Sequence, residues 1–384
     1  MVAMQSSLQS LARRRLLNAG ILGLGGALLP GCATLGQGRD DAGSALSSCL
    51  PPVLVARERV IRTVAALRPY RASGFVVRAD QLGDLRLVHN YGHGGAGITL
   101  SWGSSRLAVD LGLPGHSGRV AVIGAGVMGL TTARLAQEAG YEVTIYTAAL
   151  PPETTSNIAG GQWQPSGHYS SSAVTEAWRD QFRRAADYSW RRFQIMVGDD
   201  YGIHWLPTYD ETGGQPQRPL LPTFPPINRM LTRQEHPFPL ENVARYDTLY
   251  VETGRFLRQL LRDVQIAGGK VAVRRFATPA DIAALPERLV FNCTGLGSHA
   301  LFGDRELRPV RGQLAILLPQ PEIHYAFTGR AGYMFPRPDG IVLGGTFEAD
   351  NWSTTPDPEA IDHILESHRQ LFAGFRCGRL QASV

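Results

Sequence analysis

Six residues, Gly124-Ala125-Gly126-Val127-Met128-Gly129, limit this chain more than any other stretch. They follow an apolar run at 119–123 and lead into a helical pattern over 130–138. Residues 141–146 then alternate as a second strand. Strand, glycine turn, helix and strand make a βαβ unit, which belongs in a parallel sheet. In that setting the first glycine permits a tight turn, the second lets backbone approach a pyrophosphate, and the third lets helix and strand pack closely. The phosphates then lie at the positive end of the helix. Gly124, Ala125, Gly126, Met128 and Gly129 are therefore candidate dinucleotide contacts. An acid that grips the ribose is expected at the end of the second strand, but the chain has Tyr146-Thr147-Ala148 there.

The 384 residues leave room for about two domains. Hydrophobic residues at 43% exclude a disordered chain, and the lack of a repeat period excludes a solenoid. Glycine is 43 of 384, about 11% against a usual value near 7%, in keeping with many close backbone approaches. Short strands are read at 59–62, 75–77, 85–89, 270–273 and 289–292, and helices at 173–197, 252–267 and 358–372. Stretches 310–317, 333–336 and 341–347 read as antiparallel sheet, and the proline-rich 207–239 as loops over a pocket. Parallel and antiparallel pieces interleave. The predicted class is α/β: a Rossmann-like domain from 79–165 and 240–303, interleaved with an α+β domain from 53–78, 166–239 and 304–384 that contains antiparallel sheet.

Charge says little about partners. Lys270 is the only lysine; the other 37 basic residues are arginines, scattered rather than clustered. That pattern fits codon bias, not nucleic-acid binding. Residues 1–31 hold three arginines and no acid, and read as an export signal. Arg13-Arg14-Arg15-Leu16-Leu17-Asn18 resembles a twin-arginine signal. The apolar run at 19–29 is too short to span a bilayer as a mature helix. Leu29-Pro30-Gly31-Cys32 resembles a lipobox, whose thiol would carry the lipid. Cleavage before Cys32 takes the net charge from +5 to +2. Residues 32–52 then read as a lipidated tether, and the protein as periplasmic, anchored to a bacterial membrane through Cys32. Cys293, in an apolar strand, reads as a buried inert thiol.

Two longer stretches are more specific than the glycines. Thr154-Thr155-Ser156-Asn157-Ile158-Ala159-Gly160-Gly161-Gln162-Trp163-Gln164-Pro165 resembles the flavin-binding stretch of the D-amino-acid oxidase family. So does His89-Asn90-Tyr91-Gly92-His93-Gly94-Gly95-Ala96-Gly97-Ile98-Thr99-Leu100-Ser101-Trp102-Gly103. Arg311-Gly312-Gln313, Leu343-Gly344-Gly345-Thr346-Phe347 and Asn351-Trp352 also match. The order differs, because in that family the histidine-glycine stretch comes near the C-terminus. Here it precedes the fingerprint, together with Leu67-Arg68-Pro69. The resemblance thus implies a circular permutation over nearly all of 53–376, which places Arg376 near Pro52. It also implies a bridge between Cys49 and Cys377, which flank the break.

The resemblance implies FAD as cofactor. It would be held by the fingerprint and by Thr154, Thr155, Ser156, Gly160, Gly161, Gln162, Phe276 and Thr294. The backbone of Gly94, Gly97, Ile98 and Thr99 would face the flavin. His93 has a single close histidine, His89, and reads as shaping the loop rather than binding metal; no metal is expected. Arg68 and Tyr333 match the residues that hold a substrate carboxylate, with Gln164 and the Gly95 carbonyl near the amine. The implied reaction is hydride transfer from the α-carbon of a D-amino acid to the flavin, giving an imino acid that hydrolyses to keto acid and ammonia. Oxygen, yielding peroxide, or a membrane quinone would take the electrons. A flavin-binding lipoprotein with weak catalysis is the reading from another class. Gly329 stands where the family has a second tyrosine, and Ala96 where its mammalian members have a larger residue. Both would open the pocket, with Tyr325 as a possible compensation.

Overall fold

The computed structural model describes residues 49–165, 167–214 and 229–376. The expected export signal, Cys32, most of the tether and Cys377 lie outside the described residues. The strands in chain order are β1 (Val60–Tyr70), β2 (Val76–Leu82), β3 (Leu85–Tyr91), β4 (Val120–Ile123), β5 (Val143–Thr147), β6 (Ile203–Glu211), β7 (Arg229–Leu231), β8 (Val243–Val251), β9 (Lys270–Val273), β10 (Leu289–Asn292), β11 (Arg308–Leu317), β12 (Ala326–Gly329), β13 (Gly332–Arg337), β14 (Gly340–Gly344) and β15 (Glu348–Ala349). The helices are α1 (Gly97–Gly112), α2 (Val127–Glu138), α3 (Thr155–Ile158), α4 (Glu176–Gln194), α5 (Thr253–Ile266), α6 (Pro279–Ala283), α7 (Gly297–Leu301) and α8 (Pro358–Ala373).

The strands form two sheets. The first runs β2-β3-β10-β4-β5-β9. It is parallel apart from β2, which returns antiparallel on β3. Its two central strands are fully buried; every position of Val120–Ile123 and Leu289–Asn292 is buried, as a sheet covered on both faces requires. Helices α1, α2, α4 and α5 supply one cover through Trp102, Leu130, Trp190, Phe256 and Leu260 among others. Helix α5 buries Phe256, Leu257, Leu260 and Val264, an apolar stripe at helical spacing.

The second sheet runs β1-β11-β14-β13-β12-β6-β8-β7, with β15 also on β11. One face packs under α8, through Leu317, Leu343, Ile361 and Phe372. Proline at the first turn of α8 and the Asp357 carboxylate accepting from the Glu359 N–H fix where that helix starts. The other face carries Leu314, Tyr333 and Phe335 toward the first sheet. The α/β class with an antiparallel second part is as expected.

Several boundaries differ. Residues 60–70 form one strand through Pro69, because β1 is an edge strand that pairs only with β11. The stretch 203–211, placed partly among loops, is strand β6, and its partner β8 joins the second sheet rather than the Rossmann-like part. Ladder pairing overrides the prolines that mark this region. Strand β2, with residues 76–78 assigned to the second part, lies wholly in the first sheet, and α4 packs on α1.

The two sides of the expected chain break share one core. Val53 and Phe375 are both buried in the cluster that holds Phe238 and Tyr325, and the Tyr325 hydroxyl donates to the Pro51 carbonyl at 2.8 Å. Cys49 is disulfide-bonded; Cys377, the partner expected for it, lies outside the described residues. Cys293 is buried and free, and burial pushes its thiol up to about 12, so it is inert as expected.

Candidate active site

A cavity of about 1110 Å³ runs from the fingerprint to the inward face of the second sheet. Small-molecule sites usually enclose roughly 300–1,000 Å³, so this one has room for a dinucleotide and a small substrate together. At one end the walls are backbone. Gly124 has φ of +109°, and a Cβ there would lie 2.5 Å from the Cys293 carbonyl oxygen. Gly129 passes so close to the turn that a Cβ would meet the Gly124 carbonyl oxygen at 1.9 Å. Gly129 therefore does not line the cavity; it lets α2 approach. The Val127 N–H donates to Ser156 Oγ at 3.0 Å, which ties the first turn of α2 to the 154–156 segment.

Where an acid was expected, Ala148 and Ala149 line the wall, opposite Arg274, Arg275 and Phe276. The neighbouring Thr147 hydroxyl accepts from the Ala125 N–H at 3.1 Å and donates to the Ala149 carbonyl at 2.6 Å. It braces the turn from within the protein.

The 160–165 segment runs beside β8 as an added edge. Trp163 N–H donates to Leu249 O, and Val251 N–H to Gly161 O, both at 2.8 Å. Gly161, at φ of +94°, presses against β8 so closely that a Cβ would lie 2.1 Å from the Val251 carbonyl oxygen. Across the cavity, β3 ends beside β10, which also pairs with β4. The glycine stretch after β3 and the fingerprint after β4 thus border one edge of the sheet, the usual ligand edge of such folds. Gly94 has φ of +52° and the Gly95 N–H donates to the Gly167 carbonyl at 3.1 Å, shaping this loop into the start of α1. Gly97 and Ile98, at the N-terminus of α1, line the cavity, where the helix dipole favours negative charge.

Most predicted contacts meet here: Gly124, Ala125, Gly126, Met128, Thr154, Thr155, Ser156, Gly160, Gly161, Gln162, Phe276, Thr294, Gly94, Gly97 and Ile98 all line the cavity. Thr99 does not; it is buried, with its hydroxyl 3.4 Å from the Gln162 and Gln164 carbonyl oxygens. Ala96 is buried among Phe75, Leu100 and Phe182, so its small size does not open the pocket. Tyr325 cannot compensate for Gly329, because it is buried on the far face of the second sheet with its hydroxyl on Pro51. Gly329 itself lines the cavity. His93 stacks flat on Phe75 at 4.9 Å, and burial pushes its imidazole down to about 3. It is a neutral ring that shapes the loop.

Arg68, Tyr333, Gln164 and Gly95 close the other end. The Arg68 guanidinium lies over Gly312, whose missing Cβ leaves the space, and donates to the Thr346 carbonyl at 3.2 Å. Among the described residues it has no carboxylate partner. Glu348 is taken instead by Arg311 at 2.8 Å and by Gln313 at 2.7 Å. Tyr333 stacks on Phe335 at 4.6 Å; burial pushes its phenol up, and the adjacent Arg68 pulls it back. The Gln164 side-chain oxygen accepts from the Tyr246 hydroxyl at 3.0 Å, and Gln162 donates to Tyr246 at 3.2 Å and Tyr250 at 3.0 Å.

The family assignment comes from comparison. The family of FAD-dependent oxidoreductases known as DAO matches residues 119–383. The chain belongs to the DAO family. It is 33% identical over 261 residues to a D-amino-acid oxidase of Streptomyces coelicolor, covering 65% of this chain and 76% of that one. A D-amino acid oxidase of Dugesia ryukyuensis is 28% identical over 275 residues, covering 69% and 81%. A crystal structure of glycine oxidase from Geobacillus kaustophilus superposes with a TM-score of 0.49 at 16% identity, covering 66% and 78%.

This DAO-family chain is an FAD-dependent oxidoreductase, and its cavity fits the cofactor. Side chains at Gly124 and Gly161 would clash with the walls. The N-termini of α1 and α2 both open on the cavity, where they suit the pyrophosphate and an electron-rich ring. Residues missed in the sequence are Asp210, Thr328, Tyr246 and Tyr250. They alternate on β6, β12 and β8, and alternation within a recognised β6 was the signal available for Asp210.

Proposed function

We propose that this enzyme catalyses the oxidative deamination of D-amino acids. The observation that carries this is Arg68: a guanidinium at the end of the FAD cavity, without a carboxylate partner among the described residues, beside the Tyr333 hydroxyl. A planar guanidinium grips a carboxylate through two parallel bonds, and Tyr333 adds a third donor. Gln164, pinned by Tyr246, and the Gly95 carbonyl face the same space and suit an amine. Bound FAD supplies the acceptor for the hydrogen and electron pair that leave the α-carbon. The chain's own work is orientation: it fixes the carboxylate so that one face of the α-carbon is presented. With the amine neutral, no acid or base is required. The imino acid hydrolyses in water to keto acid and ammonia. The named relatives, both oxidases of D-amino acids, support this reading.

We further propose that the chain is a circular permutant of the family. The family match begins at residue 119, yet the segment before it supplies Arg68 and the Gly94–Gly97 loop to the same cavity. Val53 and Phe375 in one cluster support a family chain that would run through this point. The N-terminal sequence supports export and lipid anchoring at Cys32, with oxygen or a membrane quinone as electron acceptor. The test is a panel of D- and L-amino acids given to the FAD-loaded enzyme. Bleaching of the flavin without air by D-isomers, with peroxide formed in air, is the expected result. Bleaching by L-isomers alone, or by none, contradicts the proposal; bleaching without peroxide identifies a dehydrogenase.

A further inference from the structure

Strand β6 carries two acids in succession, and they are treated differently. Glu211 accepts from Arg330 through its backbone N–H at 2.8 Å and its Nε at 2.6 Å. Asp210, on the opposite face, lines the cavity. It is half-buried, and its one partner among the described residues is the Thr328 hydroxyl, which donates to it. Among the described residues no cation pairs with it. Loss of solvent pushes its carboxyl above the ordinary aspartate range, with the Glu211 charge adding to the effect. A half-buried carboxylate held by one hydroxyl is under-compensated. Its face is set by the strand: Tyr209 packs into the α8-side core, so Thr208 and Asp210 point the other way, and Asp210 reaches the cavity.

The register gives its position relative to the carboxylate site. Tyr333 pairs with Thr328, and Thr328 with Asp210, so the three stand in one row across adjacent strands. Tyr333 and Asp210 are therefore roughly 10 Å apart, two interstrand spacings. That is too far for one α-amino acid head to bridge. An extended chain of four methylenes carries its terminal nitrogen about 7 Å from the carboxylate carbon. We propose that Asp210, supported by Thr328, is a specificity site for a cationic side chain, so that the preferred substrates are basic amino acids of the lysine and arginine type. This rests on the deamination reading above. Arg68 and Asp210, neither with a counter-ion among the described residues, are then matched to a ligand with opposite charges at its two ends.

The test uses the FAD-loaded full chain and its Asp210→Asn variant. D-Lysine is compared with D-norleucine, which has a similar length and no charge, by flavin bleaching without air. Separately, binding of 6-aminohexanoate and hexanoate is measured by calorimetry; the former is lysine without its α-amine and cannot be deaminated at the α-carbon. Expected is kcat/KM for D-lysine at least tenfold above D-norleucine. Asp210→Asn removes that advantage by lowering kcat/KM far more for D-lysine than for D-norleucine. Likewise 6-aminohexanoate binds at least tenfold tighter than hexanoate, and only in the wild type. Faster turnover of D-norleucine, equal loss for both substrates, or equal binding of the two probes overturns the specificity site. Selective binding of 6-aminohexanoate with no turnover of any amino acid upholds it and overturns the deamination reading instead.

Discussion

At its phosphate end the cavity is lined by backbone, with Gly124, Gly126 and the first turn of α2 all drawn from one run of six residues and braced by Ser156 and Thr147. At its substrate end it is lined by side chains from four strands, Arg68 on β1, Tyr333 on β13, Thr328 on β12 and Asp210 on β6, which are far apart in sequence and meet only through pairing. Backbone contacts serve a cofactor that does not vary. Under the proposed function, side chains serve a ligand whose charge has to be read. The first end should thus fail by losing FAD or fold, and the second by losing substrate with FAD still bound.

The largest effect separates the two ends. Arg68→Leu should lower kcat/KM on carboxylate substrates about a thousand-fold, the cost of truncating one partner of a desolvated ion pair. FAD content should not change; a flavin-free variant would break the distinction. Gly161→Ala does the opposite. A Cβ 2.1 Å from the Val251 oxygen, at φ of +94°, should cost about 3 kcal/mol of stability and lower FAD retention, read by thermal unfolding and by the flavin absorbance of purified protein.

Asp210 sharpens the contrast through pH. Its folded pKa is raised, so the folded chain holds that proton more tightly than the unfolded one. Its contribution to stability is full below the unfolded value and lost as pH rises through the folded value. At pH 8 the ionised carboxylate is a cost to the fold. Asp210→Asn should therefore raise Tm by about 1–3 °C at pH 8, and the gain should vanish toward pH 3. A lowered Tm at pH 8 would mean that a cation already pairs with this carboxylate. The smallest effect is at the phosphate end: Ser156→Ala removes the acceptor for Val127 N–H and should weaken FAD binding about fivefold, in line with a helix-cap loss of about 1 kcal/mol.

The same division decides what the sequence revealed. Gly124 to Gly129, 154–165 and 89–103 are contiguous, and each glycine answers a backbone requirement that a single residue type meets. That end was legible to within two residues, Gly129 and Thr99, which support the wall from behind. Arg68 and Tyr333 were legible only by resemblance. Asp210 was hidden because the prolines around 207–239 mask β6, whose pairing with β8 and β12 lies in residues more than thirty positions away. Ala96 and Tyr325 looked like pocket residues in the sequence, but which side of a helix turn or sheet they occupy is fixed by packing against Phe75 and Phe238.

The central claim is that one cavity joins a backbone-made FAD cradle to a proposed side-chain-made carboxylate site, with residues 68 and 94–97 contributing to it. A crystal structure of the FAD-loaded chain with 6-aminohexanoate tests it most directly. The account predicts the carboxylate within hydrogen-bond distance of Arg68 and Tyr333, the flavin ring bordered by Gly97 and Gly161, and the ammonium on Asp210. A carboxylate bound elsewhere, or a ring that leaves Arg68 walled off from the ligand, would contradict it.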